Sequence, residues 1–336
     1  MMSPLAKVYG LALKGKDFLY QAGLADVIDL PVPVLSVGNL SVGGTGKTPV
    51  TDFLLRESER HGLKTLVVSR NYKAESRGIH RVDMIRKNGA QFFGDEPYWL
   101  AKKHPQFPVY VGPMKAWTAV QAVKENEVDL VIVDDGFQHR GLHRDFDCVL
   151  LDATAEESSE RLLPAGRFRE DFSALKRAEL VIITKANWAT PERIERLKAK
   201  IPQGPEVVEM DFHLKLAQTL PNQSAVLAFC GIARPDIFKK SLEGLSTVES
   251  EDLQINFVVK KWITFADHHQ YSKKDVADLL KIADQMNCEK ILTTEKDFVK
   301  IQGLTSQQRF VPVEMTAVLK TEPRTLNDFF DKLAGL

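Results

Sequence analysis

The residues best suited to chemistry form a glycine-rich turn, which follows an apolar run and precedes a helix-like segment. Glycines in such a turn let backbone N–H groups converge on phosphate oxygens. Lys47 can place positive charge at the outer phosphates, and the Thr48 hydroxyl can coordinate Mg²⁺ where the helix begins. Ser41 stands where the usual phosphate-loop pattern has its first glycine, so the loop is a variant. The sequence predicts a nucleotide-binding loop made of Gly43, Gly44, Thr45, Gly46, Lys47 and Thr48.

A second, acidic element fits this loop. Asp134 and Asp135 stand at the end of the apolar run 129–134, where a carboxylate can hold the hydrated Mg²⁺ of a nucleotide. A solvated turn is the alternative, and the pattern does not decide which carboxylate contacts the metal. His139 and His143 are four residues apart, but a glycine between them argues against the helix that a zinc site would need.

Secondary-structure elements must position these residues, and recurring apolar, β-branched runs in the sequence predict those elements. Continuous rather than alternating hydrophobicity is typical of strands that are buried on both faces of a parallel sheet. The pattern therefore predicts a layered α/β fold. Its strands are expected at 32–38, 64–69, 108–112, 129–134, 146–151 and 179–184.

A polar stretch at 213–224 interrupts this rhythm, and 336 residues exceed what one core usually organises. We therefore predict a loop-bearing domain at 1–212, a linker at 213–224 and a smaller α/β domain at 225–336. In the smaller domain, strands are expected at 225–230, 290–294 and 310–315, and helices at 272–286 and 325–334.

Composition excludes several classes of protein. The 45 Lys and Arg residues balance 45 Asp and Glu, which argues against nucleic-acid binding through bulk charge. With 44% apolar and 27% charged residues the chain is globular rather than disordered or fibrous. Cys148, Cys230 and Cys288 are widely spaced, so neither a disulfide framework nor a zinc ribbon is expected. No apolar run approaches the ~18 residues that span a bilayer, and a cytoplasmic protein is expected.

Residues 4–22 predict an amphipathic helix. Leu5, Val8 and Ala12 follow helical spacing. Its basic residues are Lys7, Lys14 and Lys16. A terminal helix packed on the domain and a surface helix resting at a membrane interface both fit this pattern.

Several motifs occur in one order along the chain. They are SVGNLSVGGTGKTP at 36–49, GDEP at 94–97, VDDGFQHR at 133–140, LPAGRFRE at 163–170, FCGIARPDIF at 229–238, FADHHQYS at 265–272 and TTEKDFVKI at 293–301. Together they resemble the tetraacyldisaccharide 4′-kinase (lipid A 4′-kinase) family, of which Ser41 is also a feature. One departure is Asn71 before Tyr72 and Lys73, where the family more often has glycine before the tyrosine.

The resemblance implies an enzyme that transfers the γ-phosphate of ATP, with Mg²⁺, to the 4′-hydroxyl of a tetraacylated glucosamine disaccharide 1-phosphate in lipid A biosynthesis. It also implies a P-loop NTPase-type α/β/α sandwich and a second, smaller α/β/α domain, with the active site in the cleft between them. A peripheral protein at the cytoplasmic face of the inner membrane is expected. The N-terminal helix would meet the membrane surface, and no nucleic-acid partner is expected.

The resemblance also assigns residues on the acceptor side. Asp95 in GDEP matches the family's catalytic aspartate, and His268 in FADHHQYS matches the histidine that acts with it. His269 competes for the second role. Without the resemblance, Asp95 would be expected to cap a helix, and His268 to lie in a turn before the helix cap Ser272.

Other candidates are less defined. Arg169 follows a turn that contains proline and glycine, from which an arginine can reach phosphate, although a solvated loop is the alternative. Gln138 and His139 are expected to line the same cleft. Arg70 and Arg77 are candidates for contact with the 1-phosphate of the acceptor.

The sequence is also compatible with two alternative functions. The segment 184–187 follows a buried strand as the guanine-reading N-K-x-D does in GTPases, which would indicate a nucleotide switch. Asn187, however, stands where that motif requires aspartate. A P-loop kinase or synthetase for a soluble small molecule is the other alternative.

Overall fold

The computed structural model describes residues 4–71, 74–86, 88–245, 249–250, 253–254, 257–306 and 308–335. Tyr72 and Lys73, where the sequence departs from the family pattern, lie outside these residues. The helices are α1 (Pro4–Gln21), α2 (Lys47–Arg60), α3 (Gly89–Phe93), α4 (Asp95–Lys103), α5 (Lys115–Glu125), α6 (Pro191–Lys198), α7 (Pro235–Leu245), α8 (Lys273–Gln285), α9 (Glu295–Ile301) and α10 (Arg324–Ala334). The strands are β1 (Val34–Asn39), β2 (Thr65–Arg70), β3 (His80–Arg81), β4 (Val109–Gly112), β5 (Leu130–Asp134), β6 (Phe146–Asp152), β7 (Leu180–Thr184), β8 (Glu206–Leu216), β9 (Ser224–Cys230), β10 (Glu249–Ser250), β11 (Leu253–Gln254), β12 (Phe257–Thr264), β13 (Lys290–Thr294) and β14 (Phe310–Leu319).

Within the described residues, one sheet of twelve strands runs through the protein in the order β12-β9-β13-β14-β8-β7-β6-β1-β5-β2-β4-β3. Neighbouring strands are parallel except for the antiparallel pairs β14–β8 and β4–β3. The predicted α/β class is confirmed, and every strand expected from an apolar run is present with bounds that differ by a few residues.

The central strands carry the predicted phosphate loop. All residues of β1, β5 and β7 are buried, because helices cover both faces of a parallel sheet. β1 lies between β5 and β6, and the glycine-rich loop joins it to α2. Ligands of open α/β sheets bind at the carboxyl ends of such strands. The loop after β1 and the acidic pair at the end of β5 therefore meet at one edge.

A long antiparallel ladder joins the two predicted domains. β8 pairs with β14 from Met210 opposite Leu319 to Leu216 opposite Val313. Residues 213–216 of the predicted linker belong to β8. Burial alternates along much of β8, so its half-exposed sequence looks like a polar connection rather than a strand. The edge strand β12 was missed for the same reason.

The last helix crosses back to the first half of the chain. Leu326 and Phe330 of α10 are buried in a cluster with Leu54 of α2. The Phe329 ring lies 5.0 Å from that of Phe146 on β6. The two halves share one sheet and part of one core, and their division into two domains stays a prediction.

The predicted N-terminal helix forms as α1 and attaches through polar contacts. The Tyr9 hydroxyl donates to the Arg169 carbonyl at 3.0 Å, and Lys16 Nζ donates to the Gln138 carbonyl at 3.0 Å. Its exposed apolar residues are Leu5, Val8, Leu11, Phe18 and Leu19. Among the residues that the structure describes, no helix has the length and apolar character needed to cross a membrane.

Candidate active site

A cavity of about 850 Å³ opens at the carboxyl edge of the sheet. The loop 43–48 lines part of it, and the first residues of α4, the turn 231–234 after β9 and the first residues of α9 line other parts. The residues of the predicted phosphate loop, the acidic pair, Arg169 and the pair Asp95 and His268 all line this cavity. They are Gly43, Gly44, Thr45, Gly46, Lys47, Thr48, Asp95, Asp134, Asp135, Arg169 and His268.

The shape of the loop depends on two neighbours. Gly46 has a φ of +91°, a conformation that favours glycine, and a Cβ there would come within 2.5 Å of the Phe212 ring. Asn39, the last residue of β1, donates from its amide to the Ser41 carbonyl at 2.7 Å and to the Thr45 hydroxyl at 2.8 Å. Phe212 thus excludes any residue larger than glycine at position 46, and Asn39 holds the loop at Ser41 and at Thr45.

The segment after β7 supports the loop through hydrogen bonds. Lys185 Nζ donates to the Gly44 carbonyl at 2.8 Å. Asn187 donates to the Phe212 carbonyl at 2.8 Å, and its amide oxygen accepts from the Phe212 N–H at 3.0 Å. Because these hydrogen bonds occupy the Asn187 amide, the segment that resembles a guanine-reading motif has an architectural role. This geometry argues against the nucleotide-switch alternative.

Asp135 lies between two cations. Arg169 donates to its two carboxylate oxygens at 2.9 and 2.7 Å, and Lys47 Nζ lies 3.5 Å from Oδ1. Its φ of +52° is uncommon for a residue other than glycine, and Lys115 Nζ donates to its carbonyl at 2.5 Å. Burial alone would raise the pKa of Asp135, but the hydrogen bonds from Arg169 and the charge of Lys47 lower it far below its usual range. The ionised carboxylate therefore orients both cations.

Asp134 has a different environment. The Ser69 hydroxyl donates to Oδ2 at 3.0 Å, whereas Oδ1 is buried without a hydrogen-bond partner among the described residues. Burial raises the pKa of Asp134 to about 6, and the negative charge of Glu96 adds to this effect. An unpartnered buried carboxylate oxygen fits a site for a cation.

The remaining donors indicate which cation fits. Within the described ranges, no three His, Cys, Asp or Glu side chains converge to hold a metal by themselves. Thr48 and Asp134 both line the cavity and offer oxygen ligands. Mg²⁺ is commonly held by one or two protein oxygens together with phosphate oxygens and water, so these residues fit Mg²⁺ bound with a nucleotide.

Asp95 and His268 meet across the cavity. Asp95 is the first residue of α4, and Gly94 rather than Asp95 precedes the helix as its cap. His268 Nδ1 lies 3.1 Å from Asp95 Oδ2. His269 points elsewhere, with Nε2 3.5 Å from Asp275 Oδ2. The structure thus brings His268, and not its neighbour, to the aspartate.

Two lysines of α9 also reach this side of the cavity. Lys300 Nζ lies 3.0 Å from Asp95 Oδ2 and 3.4 Å from Oδ1 of the fully buried Asp297. Lys296 forms an ion pair with Glu96, and its charge lowers the pKa of Glu96 to about 2. Sequence reasoning missed both lysines, although their spacing of four residues in TTEKDFVK indicates one helix face.

Other predicted residues lie in several places. Arg70 lines the cavity, whereas Gln138, His139 and Arg77 are not among the described residues that line it. The Gln138 amide donates to the Asn39 carbonyl at 3.1 Å and so supports the loop from outside. Burial lowers the pKa of His139 to about 4, which keeps its imidazole neutral.

Comparisons with known proteins indicate one family for the chain. The family profile described as LpxK, tetraacyldisaccharide-1-P 4′-kinase, matches residues 1–334. The chain is 38% identical over 313 residues to a tetraacyldisaccharide 4′-kinase of Bdellovibrio bacteriovorus, which covers 90% of this chain and 89% of that protein. A tetraacyldisaccharide 4′-kinase of Flavobacterium johnsoniae is 31% identical over 334 residues, with 95% of this chain and 92% of that one covered.

A solved structure is similar over nearly the whole length. It is a crystal structure of the "apo" form of LpxK from Aquifex aeolicus in complex with ATP, and it is 27% identical with a TM-score of 0.73. The similarity covers 98% of this chain and 96% of that chain. Sequence, fold and cavity thus lead to one assignment, and the chain belongs to the tetraacyldisaccharide-1-P 4′-kinase family.

Proposed function

We propose that this protein transfers the γ-phosphoryl group of ATP to the 4′-hydroxyl of a tetraacylated glucosamine disaccharide 1-phosphate. The observation that carries the proposal is one cavity lined by both the phosphate loop with Lys47 and the pair Asp95 and His268. A kinase needs positive charge on the transferring phosphoryl group and a base within reach of the acceptor hydroxyl. Membership of the family supplies the class of acceptor.

The phosphates of ATP would bind at the loop 43–48, where backbone N–H groups and the start of α2 favour anions. Lys47 and Arg169 would stabilise the charge that develops on the transferring group. Thr48 and Asp134 would hold Mg²⁺, which neutralises phosphate charge when bound. Asp134 suits this role better than Asp135, because Arg169 already donates to both oxygens of Asp135.

Asp95 would accept the proton of the acceptor hydroxyl. Among the described residues, hydrogen bonds and ion pairs reach its carboxylate through Oδ2. Oδ1 is therefore the oxygen for the hydroxyl. His268 holds the carboxylate from one side, and its Nε2 lies 3.9 Å from Asp267 Oδ2. A weak nucleophile such as a sugar hydroxyl becomes reactive when a fixed carboxylate takes its proton during attack.

The surface of α1 supports a peripheral position at the cytoplasmic face of the inner membrane. A helix packed on a core buries its apolar side, but α1 turns polar contacts inward and leaves Leu5 67% and Leu11 68% exposed. Lys7 and Lys14 are exposed on the same helix. Apolar area together with basic residues favours an anionic membrane interface, where an acylated acceptor resides.

Transfer of label from γ-labelled ATP tests the reaction directly. Tetraacyl disaccharide 1-phosphate in anionic vesicles should become labelled, and an analogue that lacks the 4′-hydroxyl should not. The Lys47→Met variant serves as a control for contaminating kinases. Release of labelled inorganic phosphate without labelled lipid, or equal labelling of the analogue, would contradict the proposed reaction.

A further inference from the structure

Four side chains behind the acceptor site form a row of alternating charge, which we call the charge row: Asp297, Lys300, Asp95 and His268. Lys300 Nζ lies 3.4 Å from Asp297 Oδ1 and 3.0 Å from Asp95 Oδ2. The same Asp95 oxygen lies 3.1 Å from His268 Nδ1. The Lys300 side chain is only 4% exposed, so water does not screen these contacts effectively.

The far end of the charge row is fixed to backbone. Asp297 Oδ2 accepts from the Gly231 N–H at 2.9 Å and from the Thr294 hydroxyl at 2.8 Å. Gly231 follows β9, and Thr294 is both the last residue of β13 and the cap of α9. Lys300 lies one helical turn after Asp297 on α9. Its ammonium group is therefore held by two adjacent strands of the sheet through a single buried carboxylate.

A buried ammonium group is costly unless carboxylates compensate it. Lys300 meets that condition with one carboxylate on each side, and only one of them, Asp95, lines the cavity. The contacts of His268 Nδ1 and Lys300 Nζ with Asp95 Oδ2 leave the direction of Oδ1 determined. We propose that Lys300 is a positioning residue of the acceptor site, which holds Asp95 so that Oδ1 points at the acceptor hydroxyl. The inference rests on the proposed kinase reaction.

The other charged groups near Asp95 cannot replace Lys300. Lys296 is paired with Glu96. Asp267 is negative and lies nearer to His268 Nε2, at 3.9 Å. Within the described residues, Lys300 is the lysine in direct contact with Asp95. Its removal leaves His268 as the direct partner of Asp95 Oδ2 among the described residues, so kcat should fall while ATP binding is kept.

Label transfer to the acylated acceptor tests the inference. We expect Lys300→Met to lower kcat about 10-fold to 100-fold, as misplacement of a catalytic group commonly does, and to leave the KM for ATP nearly unchanged. Lys300→Arg keeps the positive charge beside Asp95, so its kcat should recover most of the loss. Lys281→Met, which removes an exposed charge on α8, is the matched control.

A second variant separates positioning from folding. Lys300→Met leaves two buried carboxylates without their shared cation, which costs stability. The double variant Lys300→Met/Asp297→Asn removes one of those charges, and we expect it to be more resistant to urea than Lys300→Met while kcat stays low. Recovery of kcat together with stability would mean a merely structural role and would overturn the inference.

Two further outcomes would overturn it. One is a kcat of Lys300→Met close to that of the wild type, and the other is a KM for ATP that rises as much as kcat falls in Lys300→Met. If the wild type labels the acceptor in these cases, only the inference about Lys300 fails. A wild type that labels no acceptor contradicts the proposed function, and the inference falls with it.

Discussion

The two regions of the cavity that we propose for the nucleotide and for the acceptor, here called the nucleotide side and the acceptor side, are built in different ways. The nucleotide side consists of two short stretches, the loop after β1 and the acidic pair at the end of β5, and these strands are neighbours in the sheet. The acceptor side joins Asp95 to His268, which are 173 residues apart in the sequence. A local sequence pattern can therefore reveal the nucleotide side. The acceptor side is formed only when folding brings distant residues together.

The two sides also differ in charge. Lys47, Lys115 and Arg169 surround the acidic pair on the nucleotide side. On the acceptor side, Lys296 and Lys300 face a larger number of carboxylates, namely Asp95, Glu96 and Asp297. In the proposed reaction, a polyanion binds at the first side and a proton leaves the acceptor at the second. Substitutions on the two sides should therefore have separable kinetic effects.

The largest effect is expected on the nucleotide side. Lys47→Met should lower kcat/KM for ATP by about 10³-fold or more, because its charge acts on both bound and transferring phosphate. Steady-state label transfer measures the loss, with Lys281→Met on the surface of α8 as the control. If Lys47→Met lowered kcat but bound ATP normally, the assignment of the loop to ground-state binding would be wrong.

The second largest effect is expected on the acceptor side. Asp95→Asn keeps the size of the side chain but removes the base, so kcat should fall about 10²-fold to 10³-fold. ATP affinity should change little, since the residue acts on the acceptor. The measurements are kcat from label transfer and the Kd of ATP from equilibrium titration. Wild-type turnover, or an equal loss of ATP affinity, would break the distinction between the two sides.

A third test concerns α1, which belongs to neither side. Leu5→Ser/Leu11→Ser should weaken partition onto anionic vesicles about 30-fold, if each leucine contributes about 1 kcal/mol on partial burial in lipid. The double variant Val258→Ser/Val318→Ser removes two other exposed apolar side chains and should bind vesicles normally. Sedimentation with vesicles measures both. Equal partition of the two double variants would contradict the membrane role of α1.

The smallest expected effect is on the free energy of unfolding, measured in EDTA at pH 7.5. It compares Asp134 of the nucleotide side with Glu96 of the acceptor side. The pKa of Asp134 is raised to about 6, so ionised Asp134 destabilises the fold once the pH rises above its unfolded value. The pKa of Glu96 is lowered to about 2, so ionised Glu96 stabilises the fold, and this contribution is lost as the pH falls below its unfolded value. Asp134→Asn should therefore raise the free energy of unfolding by about 1 kcal/mol, and Glu96→Gln should lower it by about 1 kcal/mol.

Urea titration measures both changes. At pH 3, where Asp134 is protonated in both states, the gain from Asp134→Asn should vanish. Adding Mg²⁺ with ATP at neutral pH should stabilise the wild type more than Asp134→Asn, because the cation binds the native carboxylate. Changes of the same sign in the two variants at pH 7.5 would show that the two carboxylates do not differ as described.

The parts of the site that could be predicted from the sequence depend on neighbours in the chain. Phosphate binding needs consecutive backbone N–H groups. It can therefore be predicted from a short run of adjacent residues, Gly43 to Thr48. Continuous apolar runs revealed the central strands for a similar reason. The half-exposed β8 carries no such run and looked like a linker.

Other parts depend on partners that are distant in the chain. The resemblance identified Asp95 and His268, but no motif indicated that Lys300 shares an aspartate oxygen with the histidine. That contact arises where α9 packs against α4. Similarly, the periodicity of α10 shows that one face is buried, but it does not show that this face covers the first half of the chain.

The position of α10 has a consequence for how the protein is made. Leu326 and Phe330 complete the apolar cluster around Leu54, on the helix that begins at the phosphate loop. A ribosome synthesises these residues long after Leu54, so the first half emerges with part of its core exposed to water. A chain that stalls before residue 324 presents this apolar surface to chaperones and proteases. The synthesis of α10 thus completes the packing of the helix that begins at the phosphate loop.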